Sequence, residues 1–146
     1  MNLLMKQMKM KTTHNTQEVG GNHYQMNGDI EPVHLMVEFN LNWFQGEIIK
    51  YTSRHWNKHG AEDLSKALHI CDMAGDFDLN KVVDIKLSPK RVALITKYCN
   101  QYKGYFINKP EASINFQKAI LLTIKGFYRQ AQMDISQLKL LFYGEE

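Results

Sequence analysis

Prolines divide this chain into helical segments, and their positions constrain the fold more than any other feature. All three prolines, Pro32, Pro89 and Pro110, stand where an amphipathic pattern begins. Proline is favoured in the first turn of a helix because its fixed φ is already helical and its missing N–H has no partner there to lose. No segment shows the two-residue alternation of a half-buried strand. The sequence therefore predicts an all-α fold, a compact helical domain of about five to six helices.

Apolar residues spaced three and four apart predict the helices between these stops. We expect helices over about 32–40, 42–59, 62–74, 88–102, 110–131 and 134–144. Gly60 is expected to end the second helix in a left-handed conformation. Val33, Met36, Val37 and Asn40 are expected to share one face of the first helix. The expected core face of the fifth holds Ile114, Ala119, Leu121, Leu122 and Phe127.

The chain carries a small positive excess and two cysteines. Its formal net charge of +3 is compatible with an anionic small molecule or a nucleic acid as a partner, and requires neither. Cys71 and Cys99 lie in helical, partly apolar contexts, which indicates reduced, buried thiols. No apolar run approaches the length of a membrane span. These features predict a cytoplasmic protein with no membrane partner.

The chain divides into three regions by composition. Residues 1–22 are rich in Met, Lys, Thr and Asn without a sustained period, and we expect a flexible N-terminal arm. Residues 23–80 hold the polar motifs, and residues 81–146 form a C-terminal helical region of the same globular unit. The C-terminal helices are apolar over so wide an arc that a neighbouring subunit is expected to cover part of them. We therefore predict a homo-oligomer whose interface uses residues 111–143.

Several kinds of site are excluded by the residues present. No Gly-x-x-x-x-Gly-Lys-Ser/Thr sequence follows a strand, so a P-loop is absent. His55 and His59 are four residues apart without a third zinc ligand near them, and we interpret them as solvated helix histidines. Glu47 is followed at helical spacing by Lys50 and Arg54, not by another acid, which argues against a carboxylate cage for magnesium. The sequence thus predicts no metal site.

A polar stripe runs along the second predicted helix. Glu47, Lys50, Tyr51 and Arg54 stand at i, i+3, i+4 and i+7, so they share one face. Lysine and arginine on one face can hold a phosphate chain, and the tyrosine can stack on a base or donate its hydroxyl. The alternative is a solvated face with intrahelical ion pairs, which surface helices commonly carry. The spacing alone leaves both interpretations open.

A His-Tyr pair precedes the first helix. His23 and Tyr24 lie in a loop with Gly20-Gly21 before them and Gly28 after them, and no packing period explains them. Because loop residues often carry function, the pair is a candidate ligand contact. A structural histidine with its hydrogen bonds satisfied fits the same pattern equally well.

The order of these motifs resembles the SaV-like family of small bacteriophage proteins. The family pattern is His-Tyr, a downstream Pro, Gly-Asn-x-Ile-Lys-Tyr-x-x-Arg, and then Lys-x-Gly-x-Glu-Asp-Leu-x-Lys-Ala. The matching residues are His23, Tyr24, Pro32, Gly46, Ile49, Lys50, Tyr51, Arg54, Lys58, Gly60, Glu62, Asp63, Leu64, Lys66 and Ala67. The resemblance spans about residues 20–75 and implies a nucleotide kinase without a P-loop. It further implies deoxynucleoside monophosphates of thymine and guanine as substrates, and a large oligomer.

The resemblance also implies roles for individual residues. The implied catalytic residues are His23, Lys50, Arg54 and Asp63. The implied substrate-binding residues are Tyr24, Glu47, Tyr51, Lys58, Glu62 and Lys66. A nucleoside triphosphate is the expected phosphoryl donor, and the sequence leaves the requirement for Mg²⁺ open. The expected location is the cytoplasm of the host cell during phage infection.

Two other functions stay open at this point. Glu47 stands where the family has Asn, which favours a protein that binds nucleotides without turnover, such as a sequestering or regulatory phage factor. Nucleic acid is a less favoured partner. It would contact the N-terminal lysines and the rings of Tyr98, Tyr102, Tyr105 and Phe106, for which core packing is the preferred interpretation.

Overall fold

The computed structural model describes residues 29–77 and 84–144, and in these ranges it contains six α-helices and no strand. The helices are α1 (Pro32–Phe39), α2 (Trp43–Arg54), α3 (Ala61–Asp76), α4 (Pro89–Asn100), α5 (Pro110–Lys125) and α6 (Tyr128–Tyr143). A 3₁₀ turn at Lys103–Phe106 lies between α4 and α5. The all-α prediction is confirmed. The predicted N-terminal arm at residues 1–22 lies outside the described residues.

Local capping explains where several helices begin. Each of the three prolines lies in the first turn of its helix, as predicted. The Ser88 hydroxyl accepts the Arg91 N–H at 3.3 Å, which satisfies one of the free donors at the start of α4. Asn42 and Gln45 form a reciprocal capping box at the start of α2, with both bonds at 2.8 Å. The proline signals for helix starts are therefore accurate.

Four helices enclose the main core. α2 packs against α3, α3 packs against α6, and α6 packs against α5. α5 also contacts α2, which closes the group. Each fully buried aliphatic side chain contributes about 2 kcal/mol by leaving water. The fully buried side chains of these four helices include Ile48, Ile49, Leu64, Phe116, Ile135 and Leu138. The packing joins the motif-bearing α2 and α3 to the two C-terminal helices.

Aromatic rings fill the end of this core near the 3₁₀ turn. Trp56 stacks on Tyr105 with ring centroids 4.6 Å apart and an angle of 5° between the planes. Tyr98 and Phe106 are buried, which confirms core packing for these two rings. Tyr102 is partly buried and also stacks on Trp56. Tyr105 is the exposed member of the group.

The face that Val33, Met36, Val37 and Asn40 share is not the most buried face of α1. Val37 is exposed, whereas Leu35 and Phe39 are buried. The segment is apolar almost all round, so its spacing allows several faces, and the contacts with α2 and α4 select the one that is buried. His34 is also buried. Its Nδ1 accepts the Glu31 N–H at 2.7 Å as part of a capping box, which satisfies the buried nitrogen.

The fifth and sixth helices also differ from the prediction. Gly126 adopts φ +83° and ends α5, so the helix predicted to run through this residue is divided there. The last helix then begins at Tyr128 rather than at residue 134, and Asp134 lies inside it and accepts a hydrogen bond from Asn115 at 3.0 Å. Ile114, a predicted core residue, is 63% exposed. The buried face of α5 is Ala112, Phe116, Ala119, Ile120, Thr123 and Ile124.

The two cysteines are buried and free, as predicted. Burial raises the pKa of the Cys99 thiol to about 12. Burial, reinforced by the charge of Asp72, raises the pKa of the Cys71 thiol to about 12 as well. Both groups therefore stay protonated and unreactive at neutral pH.

Candidate functional site

The candidate site lies where α2 and α3 pack side by side. The polar stripe predicted on α2 is present, and α3 places further charged groups against it. We refer to these residues as the Tyr51 cluster: Glu47, Lys50, Tyr51 and Arg54 of α2 with Glu62, Asp63 and Lys66 of α3. All seven belong to the site residues predicted from the sequence.

Three cations surround the ring of Tyr51. The distances from the ring centroid are 4.7 Å to Lys50 Nζ, 4.6 Å to Arg54 Cζ and 5.5 Å to Lys66 Nζ. The negative face of an aromatic ring attracts cations at these distances, with about 0.5–1 kcal/mol for each exposed pair. The partly buried ring thus holds three positive side chains from two helices close together. Each of these cations is also paired with a carboxylate, so an anion would bind here by displacing a carboxylate partner.

A buried ion pair fixes Arg54. Its Nε donates to Asp63 Oδ2 at 3.3 Å and its Nη2 donates to Oδ1 at 3.2 Å. Asp63 is 0% exposed and also accepts the backbone N–H of His59 at 3.1 Å. Burial by itself would raise the pKa of Asp63, but these hydrogen bonds and the nearby positive charges outweigh it, so the pKa lies below its ordinary value. Asp63 therefore stays ionised and holds the guanidinium in place.

The other two cations are held by weaker ion pairs. Lys50 Nζ lies 2.8 Å from a carboxylate oxygen of Glu47, and Lys66 Nζ lies 3.7 Å from one of Glu62. The side chains of Lys50 and Lys66 are 39% and 41% exposed, and such pairs contribute little to stability. Part of the solvated-face alternative is thus present in the structure. Because these pairs are weak, both ammonium groups can turn to a ligand at low cost.

Three further site residues are predicted from the sequence. Lys58 is exposed in the turn after α2, and the cluster's ion pairs do not involve it. His23 and Tyr24 lie outside the described residues. The geometry of the site therefore concerns the seven residues of the two helices.

His55 corrects one prediction from the sequence. A solvated histidine is predicted there, but His55 is 1% exposed and its Nδ1 lies 2.8 Å from the hydroxyl of Tyr143 at the end of α6. Burial lowers the pKa of His55 to about 4, although the charge of Asp63 raises it in part. A signal was available, because His55 follows Ile48 by seven residues and so shares its buried face. No comparable signal in the sequence pointed to Tyr143.

The turn before α3 also differs from the prediction. α2 ends at Arg54, and Gly60 is the N-cap of α3 rather than the last residue of α2. Its φ of +57° and ψ of −129° form a conformation almost restricted to glycine. A Cβ at this position would lie 3.4 Å from the ring of Tyr143. The turn that delivers Asp63 to Arg54 therefore packs directly against α6.

The described residues near the Tyr51 cluster do not form a set of metal ligands. Within residues 29–77 and 84–144, no group of three or more His, Cys, Asp or Glu side chains is arranged to hold a metal ion. In the same ranges, no helix has the length and apolar character needed to cross a membrane.

The comparisons with known proteins concern the same part of the chain. Residues 19–72 match a family model described as a protein of unknown function (DUF3310). The match includes every residue of the Tyr51 cluster and ends within α3. No curated protein and no solved structure matches the chain. The domain match carries no activity, so the function has to be argued from the site.

Proposed function

We propose that this protein binds deoxynucleoside monophosphates, dTMP and dGMP, and transfers a phosphoryl group to them from a nucleoside triphosphate. The observation that supports this proposal is the convergence of Lys50, Arg54 and Lys66 on one ring. The motif that bears these cations also resembles that of a phage nucleotide kinase. Phosphoryl transfer depends mainly on positioning and charge stabilisation, which clustered cations supply.

Each cation has a different part in this proposal. Lys50 and Lys66 bind phosphate oxygens after leaving their partners Glu47 and Glu62, at a small cost in free energy. Arg54 binds with Nη1, because its ion pair with Asp63 uses only Nε and Nη2. A guanidinium already held in position loses less rotational freedom on binding than a free one does.

The remaining predicted residues are assigned as follows. The burial of Asp63 favours a positioning role over the catalytic contact implied by the family pattern. Lys58 extends the positive charge past the end of α2. His23 and Tyr24 keep their proposed roles as acceptor-orienting and binding residues. Mg²⁺, if the reaction requires it, would arrive bound to the triphosphate, as is usual for nucleotide substrates.

A direct assay tests this function. The protein is incubated with labelled dTMP or dGMP and each nucleoside triphosphate, with and without Mg²⁺, and the products are separated by thin-layer chromatography. We expect diphosphate from the wild type and at least tenfold less from Lys66→Ala. Lys97→Ala, which removes an exposed lysine of α4, is the matched control and should keep full activity. Absence of diphosphate with every donor would exclude the kinase.

A specific observation favours a second candidate, a nucleotide-binding protein without turnover. Glu47 replaces the family Asn, and its carboxylate lies 2.8 Å from Lys50 Nζ, where it neutralises one of the three cations. The same carboxylate repels a transferring phosphoryl group. Calorimetry distinguishes the two candidates, because binding of dTMP or dGMP without product formation would support a sequestering or regulatory factor.

The proposal also covers the cellular location and the oligomeric state of the protein. We place the protein in the cytoplasm of a phage-infected host cell, as a homo-oligomer that uses residues 111–143. Ile114 and Met133 are exposed on that surface, although Phe116 and Ile120 of the same region are covered within the subunit. Light scattering at micromolar concentration tests the assembly, and a monomer would exclude it.

A further inference from the structure

An exposed tryptophan lies on the same face of α2 as the cations. Trp43 is the first residue of α2 and is 55% exposed. Lys50 and Arg54 follow it by seven and eleven residues, so each lies within about 20° of Trp43 around the helix axis. The rise from Trp43 to Lys50 is about 10 Å, a span comparable with that of an extended nucleotide. The indole and the cations thus form one continuous strip.

The indole is held by a second ring. Phe44 meets Trp43 edge to face, with centroids 5.2 Å apart and planes at 83°. Phe44 itself packs against the core, and Phe77 at the end of α3 lies 5.8 Å from it and is 66% exposed. The anchored Phe44 limits the freedom of the indole, while more than half of the Trp43 surface stays in water. Trp43 is joined through Phe44 to the exposed ring of Phe77, and a contiguous exposed apolar patch is typical of a binding site.

The order of groups along α2 indicates what binds there. From the start of the helix, the strip presents an aromatic ring at Trp43, a carboxylate at Glu47 and then the cations of the Tyr51 cluster. A nucleotide has the matching order of a flat base, a sugar with a hydroxyl donor, and anionic phosphates. A protein partner does not present this fixed order of groups, so the order favours a nucleotide as the ligand.

We propose that Trp43 is the stacking platform for the base of the nucleotide whose phosphates the Tyr51 cluster binds. Glu47 accepts a hydrogen bond from the sugar hydroxyl between them. This inference rests on the proposed nucleotide function and adds the base subsite to it. Every base has a face that can stack, so the platform accepts thymine and guanine alike. The larger ring system of guanine should give dGMP the tighter binding.

Calorimetry with three variants tests this subsite. The ligands are dGMP, dTMP and inorganic tripolyphosphate, which supplies phosphate groups without a base. Trp43→Ala should weaken dGMP and dTMP by roughly 10- to 100-fold and leave tripolyphosphate unchanged. Trp43→Phe keeps a stacking ring and should lose much less. Ile107→Ala, which changes another exposed apolar residue, is the matched control and should bind as the wild type does.

A fluorescence measurement on the wild type makes the test independent of the alanine variant. The chain has two tryptophans, and Trp56 is stacked within the core cluster, so quenching by dGMP should come from Trp43 and disappear in Trp43→Phe. Quenching that persists in Trp43→Phe overturns the inference. Unchanged nucleotide affinity in Trp43→Ala, or an equal loss for tripolyphosphate, also overturns it.

Two further outcomes distinguish the base subsite from a subunit contact and from a failure of the proposed function. If the wild type binds neither nucleotide nor tripolyphosphate, the proposed function itself fails, and the subsite fails with it. If the wild type binds nucleotides and Trp43→Ala changes only the subunit number by light scattering, the indole is a contact between copies and the base subsite is wrong.

Discussion

The hydroxyl of Tyr143 lies 2.8 Å from Nδ1 of His55, which joins the last turn of α6 to the residue that follows α2. The same hydroxyl lies 3.4 Å from the backbone oxygen of His55. The rings of Trp56 and Phe142 cover the imidazole on other sides. This contact fixes the turn that precedes Asp63, and through it the position of Arg54.

Removal of the Tyr143 hydroxyl should therefore destabilise the protein. We expect Tyr143→Phe to lower the free energy of unfolding by about 1–2 kcal/mol, because a buried nitrogen of His55 loses its partner. Urea denaturation measures the change. The matched control is Tyr105→Phe, whose exposed hydroxyl donates to Asn57 at 2.8 Å and should contribute within about 0.5 kcal/mol. Equal losses in the two variants would contradict the buried role of Tyr143.

Stability should fall as the pH drops below the ordinary pKa of histidine. Burial lowers the pKa of His55 from 6.5 to about 4, partly offset by the charge of Asp63. Between these values the unfolded chain binds a proton that the folded protein does not, so the stabilisation is complete above pH 6.5 and lost on the way to pH 4. The free energy of unfolding lost over this range is roughly 3 kcal/mol. Burial also lowers the pKa of His34, which adds a loss of the same sign.

Urea midpoints at several pH values measure this dependence. His55→Gln removes the titrating group and should flatten the curve between pH 7 and pH 5. Asp63 acts in a different range, because its pKa is below the ordinary value of 3.8 and its contribution is lost only in stronger acid. An unchanged midpoint between pH 7 and pH 5 in the wild type would show that His55 does not titrate as inferred.

The ion pair between Arg54 and Asp63 should contribute more to stability than its neighbours do. We expect Arg54→Ala to cost about 3 kcal/mol, because it leaves the buried carboxylate of Asp63 without its partner. This is the lower end for a buried pair, since Arg54 is itself partly exposed. Lys66→Ala breaks a surface pair on the same site and should cost less than about 1 kcal/mol. Thermal or urea unfolding that gives similar values for both would contradict this ranking.

Gly60 should tolerate no other residue without cost. Its φ of +57°, which residues with a side chain rarely adopt, predicts a loss of about 1–3 kcal/mol for Gly60→Ala. Gly104→Ala is the matched control, because a Cβ at Gly104 would meet no atom within 4 Å. The control should be neutral or slightly stabilising, since alanine restricts the unfolded chain more than glycine does. A Gly60→Ala protein as stable as the wild type would show that the turn adjusts.

Restoring the family residue at position 47 should strengthen nucleotide binding. Glu47→Asn removes a negative charge from the phosphate site and frees Lys50, while it keeps a carbonyl acceptor on the side chain. We expect affinity for dTMP and dGMP to rise by roughly 3- to 10-fold, as measured by calorimetry. Glu111→Gln, an exposed acid at the start of α5, should have no effect. Weaker binding by Glu47→Asn would mean that the carboxylate itself is required.

Much of the fold could be predicted because its signals are local. Proline and capping residues act on the turn in which they lie, so the predicted starts of α4 and α5 are correct. The predicted stripe on α2 is correct for the same reason, since i, i+3 and i+4 neighbours depend only on the helix. Gly126 is a local signal that the prediction overlooked, and the helix predicted to pass through it is wrong.

The errors concern groups whose environment is set by distant residues. α1 is apolar almost all round, and only its contacts with α2 and α4 decide that Leu35 is buried and Val37 exposed. The burial of His55 depends on Tyr143, which the sequence separates from it by 88 positions. All seven residues of the Tyr51 cluster are among the site residues predicted from the sequence. The sequence does not show that Asp63 is buried whereas Lys50 and Lys66 are partly exposed.

The contact between Gly60 and Tyr143 has a consequence for anyone who wishes to transplant the matched segment. Residues 19–72 include the whole Tyr51 cluster. The turn at Gly60, however, packs against the ring of Tyr143 in α6, which lies outside that segment. A chimera that received only this segment would lose the packing of α3 on α6 and would lack the ring that supports the turn. The recipient would therefore need a helix that replaces α6.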